Sequence, residues 1–123
     1  MMFLVAEDNA PMRDSIKRYL CTQLPDHHTV YEASDGAQAI EMFERFHPDW
    51  VLMDIAMEPV DGLTASRRVL EKFPDANIII LTNFDDAGYR AAAKKAGTKA
   101  FVLKEHLSTI GSILSPHQVG DSA

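Results

Sequence analysis

Five side chains suited to phosphoryl chemistry each follow a short apolar run in this 123-residue chain. They are Glu7, Asp8, Asp54, Thr82 and Lys104. Three carboxylates brought together need a compensating cation, and oxygen ligands without a nearby Cys or His favour Mg²⁺ over Zn²⁺. A magnesium ion, a hydroxyl and a lysine suit a phosphoryl group, which a neighbouring carboxylate can accept as nucleophile. This chemistry requires a fold that brings all five groups to one place.

Five apolar runs are too short for helices and are rich in β-branched and aromatic residues, which predicts buried strands. They span residues 2–6, 29–31, 50–53, 78–81 and 100–103. The first, third and fourth runs are almost wholly apolar, as parallel strands covered on both faces are. The second run is flanked by His28 and Glu32, so we expect it at an edge of the sheet.

Helical periodicity fills the segments between these runs. The first helix is expected after the capping candidates Asp8 and Asn9, and the second before Pro48. The others span about residues 63–73, 85–96 and 105–115. The fourth ends at Gly97 and offers mainly alanine to the core, so it should be the least anchored helix.

The order βαβαβαβαβα predicts an α/β fold with right-handed crossovers and a parallel sheet covered by helices on both faces. Ligands of such sheets bind beyond the carboxyl ends of the strands. The first, third, fourth and fifth runs end at the acidic, hydroxyl and lysine residues named above. The alternation therefore gathers these side chains at one edge of the sheet.

Six residues occur in a fixed order in or just after these predicted strands: Glu7, Asp8, Asp54, Thr82, Phe101 and Lys104. The set resembles the receiver domain of two-component response regulators over about residues 2–115. Residues 54–57, followed by Asp61-Gly62, are similar to the family's loop after its phosphorylated aspartate. The resemblance implies a flavodoxin-like, doubly wound (βα)5 fold with a five-stranded parallel sheet in the order 2-1-3-4-5.

The resemblance also implies the acceptor and its metal. Asp54 would take a phosphoryl group from a sensor histidine kinase. Asp8, Asp54 and the backbone carbonyl of Ala56 would bind Mg²⁺ directly, with Glu7 acting through water. The protein would be a phosphoprotein of a phosphorelay rather than an enzyme, apart from catalysing its own phosphorylation and dephosphorylation.

The remaining residues of the set would form the switch. By resemblance, Thr82 and Lys104 would hold the phosphoryl oxygens. Movement of Thr82 toward the phosphate would let Phe101 turn inward. That turn would change the face formed by the fourth helix, the fifth strand and the fifth helix. A loosely anchored fourth helix suits such a bistable element.

The chain departs from the family pattern at two peptide bonds. The proline that often follows the loop Met is here Glu58, with Pro59 one residue later, which leaves the loop geometry open. Lys104 is followed by Glu105 rather than by a proline in a cis bond. A cis bond before a non-proline residue costs about 2.5–4 kcal/mol, so a trans bond is expected.

Two further positions bear on how long the phosphoryl group persists. They lie two residues after the acceptor and two after the threonine, and are occupied by Ala56 and Phe84. Ala56 has no polar group to aim a water, and Phe84 could shield the site. We expect slow self-dephosphorylation.

Taken singly, most of these residues have simpler interpretations. Glu7 is typical of a solvated charge, Asp8 of a helix cap, Thr82 of a strand-end hydroxyl bonded to backbone, and Phe101 of plain core. Asp54 is harder to explain without a function, because a carboxylate straight after a buried run carries a desolvation cost. The joint occurrence at one sheet edge favours function.

Three rival functions remain as alternatives. A magnesium-dependent phosphatase with an aspartyl nucleophile generally carries a second Asp two residues later, where this chain has Ala56. A nucleotide or flavin binder would need a glycine-rich loop after the first strand, and residues 7–10 contain no glycine. A receiver-like interaction domain that has lost phosphorylation would not need the intact acidic, threonine and lysine set.

Composition limits the partners. A hydrophobic share of 46% and a net charge of −6 indicate one globular domain that does not bind nucleic acid or an anionic membrane directly. The single Cys21 excludes an intrachain disulfide, and no targeting segment or membrane span is evident. We therefore expect a cytoplasmic protein.

The length leaves two arrangements open. Residues 1–115 are expected to form the receiver domain, and residues 116–123 a C-terminal tail or the start of a linker. The chain is either a stand-alone receiver that docks on an effector protein or the front part of a transcription regulator with a DNA-binding C-terminal output domain. The second is favoured, and the resemblance also leaves room for a phosphorylation-dependent homodimer.

Overall fold

Strands and helices alternate through the computed structural model, which describes residues 1–23 and 28–114. The strands are β1 Met2–Ala6, β2 Thr29–Ala33, β3 Trp50–Asp54, β4 Ile78–Thr82 and β5 Ala100–Leu103. The helices are α1 Ala10–Gln23, α2 Gly36–Phe46, α3 Gly62–Lys72, α4 Ala87–Ala96 and α5 Ser108–Leu114. The predicted order of elements is confirmed.

The strands form one parallel sheet in the order β2-β1-β3-β4-β5. This is the flavodoxin-like order, with β2 at an edge as its flanking polar residues predict. Asp54 pairs in register with Leu81, and Thr82 pairs with Leu103. The carboxyl ends of β3, β4 and β5 are therefore nearly level, which sets Asp54, Thr82 and Lys104 along one edge.

Alternate residues of the central strands pack into two separate hydrophobic cores, one on each face of the sheet. Leu4, Met53 and Ile80 belong to the core that α2, α3 and α4 cover. Val5 and Leu52, on the opposite face, pack with α1 and α5. Because both faces are covered, β1, β3 and β4 must be apolar throughout, which explains their continuous apolar runs.

Side-chain caps start four of the helices close to the edge where the candidate residues gather. Each cap accepts a backbone N–H from the first turn, which satisfies a donor that the helix leaves free. The donor and acceptor pairs are Met12 with Asn9, Gln38 with Asp35, Thr64 with Asp61, and Tyr89 with Asp86, at 2.8–2.9 Å.

The fourth helix is thinly attached, as its alanine content predicts. Of the ten α4 residues, Ala93 alone is buried. Gly97 ends the helix with a φ of 101°, and its N–H donates to the carbonyls of Ala93 and Lys94. A left-handed φ of this size favours glycine, which accounts for the stop at this position.

The predicted fifth helix begins later than expected. Instead of one helix from Glu105, a 3₁₀ turn covers Lys104–His106 and α5 starts at Ser108. Tight i→i+3 bonding, here from Ile110 N–H to the Leu107 carbonyl at 2.9 Å, is frequent at helix starts. Predictions that fall on residues 115–123 lie outside the described residues.

Candidate functional site

Three carboxylates meet at the carboxyl ends of β1 and β3. Carboxylate oxygens of Glu7, Asp8 and Asp54 all lie within 4.8 Å of one another. Glu7 and Asp54 are buried, whereas Asp8 is exposed. They line a cleft of about 390 Å³ together with Ala56 and Lys104. The structure thus brings together the acceptor, metal and lysine residues that the sequence predicts.

Lys104 supplies the positive charge of this cleft. Its Nζ lies 2.6 Å from Glu7 Oε1 and 3.2 Å from Asp54 Oδ1. Glu7 Oε1 is buried and accepts no well-aligned hydrogen bond, so the close ammonium charge is what compensates it. Burial of Lys104 disfavours its charged form, but the interactions with Glu7 and Asp54 outweigh burial and raise the pKa of Lys104. The lysine is charged at neutral pH.

The cluster still carries excess negative charge, because three carboxylates face one ammonium. Desolvation, followed by the hydrogen bond and charge of Glu7, raises the pKa of Asp8 above its ordinary value. A donor set made only of oxygen atoms with surplus negative charge fits a hard divalent cation such as Mg²⁺. The residues present therefore fit the metal that the resemblance implies.

Asp8 is not used as a helix cap. Asn9 takes that place by accepting the Met12 N–H, and the Asn9 N–H donates to Glu7 Oε2 at 3.2 Å. Arg13, on the first turns of α1, donates to the Glu7 backbone carbonyl at 2.7 Å. The start of α1 thus fixes Glu7 from two sides and leaves the Asp8 carboxylate toward the cleft.

Two glycines fix the loop that follows Asp54. The Gly62 N–H donates to the Ile55 carbonyl at 3.0 Å, and the Gly36 N–H donates to the Val60 carbonyl at 2.9 Å. A Cβ on Gly62 would lie only 1.8 Å from the Asp54 carbonyl oxygen. Only glycine allows α3 to start this close to the acceptor.

The loop geometry that the sequence left open is now defined. The one cis peptide bond in residues 1–23 and 28–114 joins Glu58 and Pro59. The bond between Lys104 and Glu105 is trans, as expected.

Phe84 lies at a neighbouring cleft of about 600 Å³ and is 68% exposed. Phe84 does not line the 390 Å³ cleft that Asp54 lines.

The structure places Thr82 next to the carboxylate cluster and Phe101 apart from it, because Thr82 shares a cleft with Asp8 and Ala56. Thr82 is buried and lines the 600 Å³ cleft, and its Oγ1 accepts the Phe84 N–H at 3.2 Å. Phe101 lines neither cleft; it is half-buried, packs partly against the core, and pairs in register with Ile80. The backbone bond to Thr82 and the core packing of Phe101 are the contacts that their simpler interpretations predict.

Sequence reasoning missed three features of the site. Glu7 is 1% exposed rather than solvated; Lys104 pairs with its carboxylate, and Arg13 donates to its backbone carbonyl. Asn83 also lines the acidic cleft, directly after Thr82. Its position just past a strand end was the available signal; the role of Arg13 had none, since it depends on how α1 packs.

Comparison with known proteins agrees with this geometry. Residues 3–112 match the response regulator receiver domain family. The uncharacterized transcriptional regulatory protein YhcZ of Bacillus subtilis is 37% identical over 105 residues, which are 85% of this chain and 49% of that protein. Transcriptional regulatory protein DegU of Brevibacillus brevis is 32% identical over 105 residues, covering 85% of this chain and 44% of that protein. The chain thus spans about half the length of these curated relatives.

Solved structures show the same fold. A DNA-binding response regulator of the LuxR family from Staphylococcus aureus has a TM-score of 0.85 at 23% identity, covering 94% of this chain and 96% of that chain. The response regulator domain of Thermotoga maritima CheB has a TM-score of 0.79 at 27% identity, with 93% and 90% covered. Within the described ranges no helix has the length and apolar character to span a membrane. Because residues 3–112 match the family, the chain belongs to the receiver domain family of two-component response regulators.

Proposed function

We propose that Asp54 is the phosphoacceptor of a Mg²⁺-dependent signalling switch that a sensor histidine kinase phosphorylates. The observation that carries the proposal is the position of the Asp54 carboxylate, with Lys104 Nζ at 3.2 Å and the Glu7 and Asp8 carboxylates within 4.8 Å. A nucleophilic carboxylate, a fixed cation and spare oxygen ligands are the groups that phosphoryl transfer needs.

Asp8, Asp54 and the Ala56 backbone carbonyl would hold Mg²⁺, and Glu7 would act through water. When bound, the ion supplies charge neutralisation for the acceptor and the phosphoryl oxygens. The raised pKa of Asp8 and the surplus negative charge of the cluster support this assignment. Glu7 suits an indirect role because its Oε1 is engaged by Lys104.

The chain's own residues carry the transfer. An Asp54 carboxylate oxygen forms a bond to phosphorus as the bond from phosphorus to the kinase's imidazole nitrogen breaks. Lys104 then moves from Asp54 toward the new phosphoryl oxygens, and the Thr82 hydroxyl leaves the Phe84 N–H to donate to them. Loss of that Thr82 contact frees the β4–α4 loop, and Phe101 turns inward.

The output of this switch is proposed from the relatives. The names of YhcZ and DegU describe transcriptional regulators, and the LuxR-family neighbour is called DNA-binding. We infer that residues 1–115 act as a receiver and that residues 116–123 lead toward an output domain that binds DNA in the cytoplasm. No observation favours the stand-alone or phosphatase alternatives.

The proposal is tested by incubating the chain with acetyl phosphate and Mg²⁺ and measuring its intact mass. The expected result is one phosphoryl addition that a chelator prevents and that Asp54→Asn abolishes. Asp75→Asn, an exposed aspartate remote from the cleft, is the matched control and should be phosphorylated like the parent. No addition in the parent, or an addition retained in Asp54→Asn, would show the proposal to be wrong.

A further inference from the structure

Arg90 on α4 lies against the face of the Phe101 ring. Its guanidinium carbon is 4.5 Å from the ring centroid, a distance at which a cation is attracted to an aromatic face. The planar guanidinium suits this contact better than a lysine ammonium would. A charged side chain of α4 therefore contacts the ring of Phe101 directly.

Asp85 holds the same guanidinium from the β4–α4 loop. Its Oδ1 accepts from Arg90 Nη2 at 2.7 Å and from Nε at 3.3 Å. Asp85 directly precedes Asp86, the cap of α4, and Arg90 lies in the first turn of the helix. The pair therefore restricts where the guanidinium can go. Loop, helix and strand are thereby joined through Asp85, Arg90 and Phe101.

This contact matters because α4 has little else to hold it. Ala93, one turn further along the same side, is the one buried residue of the helix. Phe101 shares its sheet face with Ile80 and Thr82, since Ile80 is its register partner and Thr82 is two residues beyond. Arg90 therefore acts on the ring beside the threonine that the proposed function makes the sensor of the phosphoryl group.

We propose that Arg90 is a positioning residue that holds Phe101 in its resting, half-buried place. Arg90 thereby sets the free-energy difference between the resting and the switched state. The inference rests on the proposed function, in which Phe101 turns inward after phosphorylation. Turning inward breaks the contact with the guanidinium, so the contact stabilises the resting state alone. A ligand that favours the switched state must overcome it.

The test is the affinity of the chain for beryllofluoride, a phosphoryl stand-in, at saturating Mg²⁺, measured by titration calorimetry. Arg90→Ala should tighten the apparent dissociation constant by about two- to fivefold, the range that an exposed cation–π contact contributes. Lys94→Ala, which removes an exposed cation from the same helix, is the matched control and should leave the affinity unchanged. Equal or weaker binding by Arg90→Ala overturns the inference.

A purely structural role for Arg90 is separated by a double-mutant cycle. In a Phe101→Leu background the ring is gone, so Arg90→Ala should no longer change the affinity; a full effect there contradicts the inference. Asp85→Asn, which leaves Arg90 in place, should shift the affinity in the same direction by less, and serves if Arg90→Ala does not fold. A parent that binds no beryllofluoride overturns the proposed function itself, whereas a binding parent with an unresponsive Arg90→Ala overturns this inference alone.

Discussion

The acceptor side and the α4–β5 side of this receiver are built differently. On the acceptor side, every β3 residue from Val51 to Asp54 is buried. The N–H groups of two glycines bond the loop that connects β3 with α3 and hold it in place. On the other side, α4 buries Ala93 alone, and three of the four residues of the edge strand β5 are only partly buried. Both sides carry a proposed functional residue, Asp54 on one and Phe101 on the other.

The difference separates two physical tasks. Phosphoryl transfer requires groups held in fixed positions, which burial and close backbone packing provide. A response that moves a surface requires an element whose two positions differ little in free energy, which a sparsely packed helix provides. The predictions below test this division, beginning with the change that should damage the rigid side most.

Gly62→Ala should destabilise the protein by about 3 kcal/mol or more, because a Cβ there would lie 1.8 Å from the Asp54 carbonyl oxygen and the backbone would have to shift. Gly88→Ala in α4 is the matched change on the loose side. Its Cβ meets only the Asp86 carboxylate at 3.1 Å, so the effect should stay below about 1 kcal/mol. Urea unfolding measures both, and equal losses would contradict the division.

Lys104→Met should lower the free energy of unfolding by about 2 kcal/mol at neutral pH without Mg²⁺, because it leaves the buried Glu7 and Asp54 carboxylates without their cation. Lys94→Met, on the exposed side of α4, should cost much less. Thermal or urea unfolding of the metal-free protein gives the comparison. A Lys104→Met variant as stable as the parent would mean that the lysine does not compensate the cluster.

Ser66→Ala should stabilise the protein by about 1 kcal/mol. Ser66 Oγ on α3 is fully buried and has no hydrogen-bond partner among the described residues, so its hydroxyl is desolvated without compensation. Thr64→Ala is the contrasting control, because its hydroxyl bonds Asp61 at 3.0 Å and its loss should destabilise. A destabilised Ser66→Ala would indicate a partner for that hydroxyl.

Glu32→Gln should have the smallest effect and lower the free energy of unfolding by about 0.5 kcal/mol at neutral pH, because the ion pairs of Glu32 with Lys17 and Arg13 lie at the surface and are partly exposed. Those partners lower the pKa of Glu32. Its stabilisation is therefore present above the ordinary carboxyl range and lost as the pH falls through the lowered value. The difference between parent and variant should vanish in acid; a difference that grows in acid would have the wrong sign.

The sequence predicted the strands and the gathering of Glu7, Asp8, Asp54 and Lys104, because apolar runs and strand-end positions are local patterns that the parallel topology converts into proximity. The order of the strands in the sheet was predicted by the family resemblance. It did not predict the burial of Glu7, which depends on the packing of α1. The late start of α5 depends on a local choice between hydrogen-bond spacings. The Arg90 contact with Phe101 joins two elements whose side-chain directions no sequence pattern contains.

The most direct test of the account is hydrogen exchange resolved by segment, with and without acetyl phosphate and Mg²⁺. Before phosphorylation, α4 amides should exchange faster than those of β3 and β4. After phosphorylation, protection should change mainly in the β4–α4 loop, α4 and β5, while β3 stays protected and Asp54→Asn shows no change. Equal exchange in α4 and β3 beforehand, or a phosphorylated protein whose α4 and β5 exchange is unchanged, would contradict it.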